Sequence, residues 1–146
     1  MVGGYAVIEY SESRYTKDLD LWIQASPKNA KAIFSALTLF GAPVSMLTPA
    51  DFSEEGYFFQ RGLAPLRIDI LMSLKGISFD QAWKNRTTRL LFGENANFIS
   101  HRDLIKTKDA SGRPQDLLDA EALRQSLATQ KKLLPSKKKK TRTKKI

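Results

Sequence analysis

The segment Lys17-Asp18-Leu19-Asp20-Leu21-Trp22-Ile23 constrains this chain more than any other. Its alternation of charged and apolar residues is a strand pattern, because successive strand side chains point to opposite faces. Leu19 and Leu21 then enter a core, while Asp18 and Asp20 stand about 7 Å apart on the other face. Two carboxylates so spaced suit Mg²⁺, a hard cation that commonly takes one or two carboxylates together with substrate phosphates. The same residues also describe an ordinary edge strand with one solvated face, so the flanking sequence has to decide.

Ahead of this strand, Gly3-Gly4 leads into Tyr5-Ala-Val-Ile-Glu-Tyr10, whose periodicity fits a short helix or a strand. The glycine pair favours a helix N-terminus, where free N–H groups can face an anion. The strand is expected over residues 14–23. Ser26-Pro27 then supplies an N-cap and a first-turn proline. Ala30, Ile33, Phe34, Leu37 and Phe40 recur at helical spacing and predict an amphipathic helix that Gly41 ends. Residues 44–56 read as loop or a short helix, and 57–62 as a strand. In the next strand, Leu66-Arg-Ile-Asp-Ile-Leu-Met72, Ile68 and Ile70 share one face and Arg67, Asp69 and Leu71 the other. Asp69 in so apolar a run requires a partner, either a metal or an arginine such as Arg14 or Arg67.

Phe79, Ala82 and Trp83 predict a short inward-packed helix, and residues 89–100 a hairpin around Gly93-Glu94-Asn95. Ser100 caps a helix through Leu104, Ile105 and Lys108, which Ser111-Gly112-Arg113-Pro114 breaks. In the last helix Leu117, Leu118, Ala120, Leu123 and Leu127 form the expected apolar stripe, with Asp116 and Asp119 on a polar flank. The fold class that follows is α+β, an α/β sandwich with a mixed sheet flanked by helices.

Charge separates the chain into two parts. The net charge is +9, yet nine of the 24 basic residues lie in residues 131–146, which hold no acidic residue. The remaining 130 residues balance 15 basic against 15 acidic. We therefore expect a folded domain over 1–130 and a disordered basic tail over 131–146, able to attract a polyanion such as RNA through counterion release. With no cysteine and one histidine, His101, thiolate zinc sites and multi-histidine metal centres are excluded. The absence of an eighteen-residue apolar run argues against a membrane partner and for a cytosolic location.

Taken together, Gly3-Gly4, the block Arg14-Tyr-Thr-Lys-Asp-Leu-Asp20 and Asp69 in Arg67-Ile-Asp-Ile-Leu71 resemble the polymerase-β-like nucleotidyltransferase superfamily. Its pattern is a glycine pair, Asp-x-Asp on a strand, and a third carboxylate on a later strand. Lys108, Gly112-Arg113 and Asp116-x-x-Asp119 look like the small bacterial branch that includes nucleotidyltransferase-type toxins of abortive-infection toxin–antitoxin pairs. The resemblance implies a minimal nucleotidyltransferase fold using an NTP and two Mg²⁺ ions, with Asp18, Asp20 and Asp69 as catalytic metal ligands. It implies nucleotide contacts from Gly3, Gly4, Arg14, Lys17, Lys108 and Arg113, with Asp116 orienting Arg113. Relatives carry a helix and a full strand ahead of the glycine pair, where only Met1-Val2 stand here, so most of a first strand is expected to be lacking. The acceptor hydroxyl stays open among RNA, protein and a small molecule. The alternative is a catalytically weak binding module or antitoxin-like protein, acting through a cognate protein partner at an exposed sheet edge.

Overall fold

The computed structural model describes residues 1–12, 15–63, 67–91 and 93–133. Arg14, Pro135 and all but the first three residues of the basic tail fall outside that set.

The fold is α+β. A three-stranded mixed sheet has the order β1-β3-β2. Strands β1 (Asp18–Trp22) and β3 (Arg67–Leu71) run parallel, with Asp18 opposite Arg67 and Asp20 opposite Asp69. Strand β2 (Phe58–Arg61) closes the other side antiparallel to β3. The expected first strand is shorter than residues 14–23, because its ladder begins only where Asp18 meets Arg67. Leu19, Leu21, Ile68 and Ile70 share the opposite face, and Leu21, Ile68 and Ile70 enter a core with Ile23, Ala30 and Phe52.

Helix α1 (Gly3–Tyr10) forms as the glycine pair suggested, and α2 (Pro27–Leu39) starts where Ser26 accepts a hydrogen bond from Asn29 N–H. Phe40 is a correction. It follows the last helical residue and is 69% exposed, so the buried stripe ends at Leu37. A short 3-10 turn, Pro49–Phe52, inserts Phe52 into this core.

A second core lies beneath α1, built from Val2, Ala6, Val7, Tyr10, Phe98, Leu104 and Leu123. Helix α3 (Phe79–Asn85) contributes Ala82, but Trp83 is another correction: it is 46% exposed, stacked on Phe79 with the Arg86 guanidinium 4.1 Å from its ring centre. A cation over an aromatic face is favourable and keeps the ring near the surface. A hairpin of β4 (Thr87–Leu91) and β5 (Glu94–Phe98) forms, with a tighter turn than expected: Glu94 and Asn95 pair within β5, and Ile99 and Ser100 lie beyond it. Met1 and Val2 join the two halves: Val2 N–H donates to Asp20 O at 3.0 Å, and Ile99 N–H donates to Met1 O at 3.0 Å.

Helices α4 (His101–Ser111) and α5 (Pro114–Leu133) pack against each other around the left-handed Gly112, whose φ of 68° suits a residue without Cβ. Here the expected apolar stripe holds at Ala120 and Leu123 but fails at its start. Leu117 and Leu118 are 49% and 67% exposed, whereas Asp116 and Asp119 are buried together with Ala120 and Leu123. The physical reason is Lys108, which sits inside the α4–α5 contact and needs counter-ions. Its ammonium lies 2.5 Å from Asp116 Oδ1 and 2.9 Å from Asp119 Oδ2, so α5 turns those carboxylates inward.

No helix among the described residues is long and apolar enough to cross a membrane.

Candidate active site

Parallel pairing of β1 with β3 puts Asp18, Asp20 and Asp69 on one face of adjacent strands, which sequence parity alone could not establish. They line a cavity of about 880 Å³ bounded also by the start of α1 and the α4–α5 corner. Gly3 is indispensable to this arrangement. Its φ is +62°, and a Cβ there would fall 1.9 Å from Asp20 Oδ2. The glycine thus lets the carboxylate lie against the first turn of α1, where Gly4 N–H bonds to it. Burial first, then the charges of Asp69 and Asp18, raise the Asp20 pKa above its ordinary value, with Lys108 and Gly4 N–H opposing.

Arg67 bridges two members of this group, Asp18 and Asp69. Its NH2 nitrogen donates to Asp18 Oδ2 at 2.5 Å and to Asp69 Oδ2 at 3.1 Å. Its Nε stands 3.0 Å from Asp69 Oδ1, yet lacks the alignment of a hydrogen bond. Gln60 on β2 donates to the same Asp69 oxygen at 3.2 Å. The arginine alternative for Asp69 is therefore realised in the structure by Arg67.

Among the described residues no group of three or more acidic or histidine side chains is arranged to hold a metal ion. The donor chemistry nevertheless fits a hard dication. Asp18 Oδ1 is buried without a hydrogen-bond partner, and three carboxylates line the same cavity. What bridges Asp18 and Asp69 is a guanidinium.

Of the expected nucleotide contacts, Gly3, Gly4, Lys17, Lys108 and Arg113 all line the cavity, while Arg14 lies outside the described residues. Lys17 is exposed. Lys108 is buried and committed to two carboxylates. Arg113 reaches Asp116 Oδ2 with Nε at 2.6 Å, the pairing expected from the sequence. Burial alone would raise the Asp116 pKa, but hydrogen bonds from Lys108, Ser111 and Arg113 and the Lys108 charge hold it at about 2. His101 takes no part: its Nε2 lies 2.8 Å from Leu123 O, and its ring stacks on Tyr10.

Sequence reasoning did not assign Arg67, Lys75, Thr107, Ser111 and Gln115 to the site, although all line the cavity. Arg67 shares strand parity with Asp69, a signal that was available. The others arrive through the packing of α4, α5 and the β3–α3 loop, which leaves no local pattern.

No protein-family model matches this chain, and no curated protein matches it significantly.

Proposed function

We propose that this protein is a metal-dependent nucleotidyltransferase of the polymerase-β-like type, moving a nucleoside monophosphate from an NTP to a hydroxyl acceptor and releasing pyrophosphate. The observation that carries this reading is the shared strand face of Asp18, Asp20 and Asp69, lining a cavity that the glycine-led start of α1 also lines. In the reaction, the acceptor oxygen attacks the α-phosphorus as the bond to the pyrophosphate oxygen breaks. Asp18 and Asp20 would hold Mg²⁺ beside the triphosphate, and Asp69 would complete a second ion site. Bound ions would stabilise the charge on the attacking and leaving oxygens.

The chain's own residues would do the rest. Asp69, buried on β3, would accept the acceptor proton. The first N–H groups of α1 offer a positive end for phosphate oxygens. Lys17 and Arg113 supply cationic side chains at the cavity wall. The basic tail favours RNA as the acceptor, and a toxin–antitoxin setting with a cognate protein partner in the cytosol is compatible with this chemistry.

The test is transfer of label from each α-labelled NTP, with Mg²⁺, into fractions of a total cell extract. Asp18→Ala and Asp20→Ala should each abolish transfer; wild-type labelling by both variants would refute the assignment. One observation favours a second reading, a catalytically weak binding module: Arg67 already neutralises part of the carboxylate group. A folded protein that binds neither Mn²⁺ nor nucleotide by calorimetry, yet forms a stable complex with a protein partner, would select that reading.

A further inference from the structure

We infer that Arg67 is a built-in counter-ion that a metal must displace, and that its release couples metal entry to arrival of the triphosphate. This rests on the nucleotidyltransferase reading and goes beyond it, since it concerns how the site is regulated.

The placement of Arg67 is fixed by the fold. Strand register sets it directly opposite Asp18, and strand parity puts it on the same face as Asp69 two residues later. One guanidinium therefore spans two of the three carboxylates a metal would use. The span is incomplete: it leaves Asp18 Oδ1 and its own Nε buried without hydrogen-bond partners. Such orphaned groups are unfavourable, and a guanidinium cannot satisfy both at once in this geometry. A dication among the same oxygens would satisfy Asp18 more fully, but only if the arginine leaves.

Leaving has its own requirement. The Arg67 side chain is only 31% exposed, so a guanidinium that loses both carboxylates needs a new anion close by. A phosphate group is its best match, because the planar fork donates two parallel hydrogen bonds. The triphosphate of an incoming nucleotide supplies that anion in the same cavity. Gln60 remains bonded to Asp69 and keeps that carboxylate in place when Arg67 departs. The free protein thus holds divalent ions weakly, and nucleotide and metal each strengthen the other's binding by the same factor.

The experiment is calorimetric titration of Mn²⁺ into wild type, Arg67→Gln and Arg67→Lys, each with and without a non-hydrolysable ATP analogue. Arg67→Gln should bind Mn²⁺ alone about tenfold more tightly than wild type. After subtraction of the analogue's own Mn²⁺ complexation, titrated without protein, the analogue should tighten Mn²⁺ about tenfold or more in wild type, within the usual range of coupling factors, and by less in Arg67→Gln. Arg67→Lys, which keeps the charge without the fork, should fall between the two. Equal or weaker Mn²⁺ affinity in Arg67→Gln would overturn the inference. So would an analogue-independent Mn²⁺ affinity in wild type, which needs no variant to fold. Asp18→Asn separates the two levels. If it binds Mn²⁺ as wild type does, the nucleotidyltransferase reading itself fails; if it loses Mn²⁺ while Arg67→Gln matches wild type, only the counter-ion role fails.

Discussion

Lys108→Met is the most informative perturbation of the fold. Methionine keeps most of the apolar stem but removes the ammonium between Asp116 and Asp119, which are each 3% exposed. Breaking a buried ion pair by deleting one partner is destabilising by about 3–5 kcal/mol, because it strands the remaining charge. A second route starts from pH. Asp116 is held at about 2 in the folded protein against an ordinary value of 3.8. At about 1.4 kcal/mol per unit, that depression contributes about 2 kcal/mol at neutral pH. Lys108 supplies the first of the hydrogen bonds that cause it, and Ser111 and Arg113 supply the rest. The two routes overlap and are not summed, so about 3 kcal/mol is the expectation, equivalent to a fall of about 10–15 °C in melting temperature for a domain of this size.

The sign with pH is definite. A carboxyl whose folded pKa is depressed contributes fully above its unfolded pKa and loses that contribution as pH falls through the folded one. The gap between wild type and Lys108→Met should therefore be largest above pH 4 and should narrow towards pH 2. Thermal unfolding followed by circular dichroism from pH 7 to pH 2 measures it. Adding Asp116→Asn and Asp119→Asn to the lysine variant should recover part of the loss, because no charge is then left buried. A Lys108→Met protein melting within about 2 °C of wild type at pH 7 would refute the reasoning, since a difference that small is under 1 kcal/mol.

Gly3→Ala should destabilise by about 1–2 kcal/mol from the left-handed backbone alone. Its Cβ would also displace the Asp20 carboxylate, so the variant should lose Mn²⁺ binding in the presence of nucleotide while remaining folded by circular dichroism. Asp20→Asn should raise the melting temperature at pH 7 while abolishing transfer, because burial and the Asp69 and Asp18 charges disfavour its ionised form. Its pKa is raised on folding, so this advantage should be absent at low pH, below the unfolded value, and appear as pH rises through the folded one. His101, whose pKa is lowered chiefly by burial, should make the protein less stable as pH falls below its ordinary 6.5; His101→Gln should flatten the stability profile between pH 5 and 7.

The sequence by itself determined the local elements and the identity of the carboxylates. Alternation marked β1 and β3, Ser26 and Ser100 marked helix starts, and the glycine pair marked the start of α1. These signals are legible because they depend on neighbours a few residues away. Tertiary structure decided everything that depended on which face meets which. Only the β1–β3 register placed Asp20 beside Asp69 and Asp18 opposite Arg67, and a register is a long-range choice that the period of two leaves open. The last helix shows the same limit in reverse. Read alone, Asp116 and Asp119 belong to solvent and Leu117 and Leu118 to the core; the burial of Lys108 inverts that assignment, because the counter-ions must follow the charge. The Asp18-Leu19-Asp20 strand was legible as a candidate metal-binding edge, but the cation that already sits against it came from the neighbouring strand.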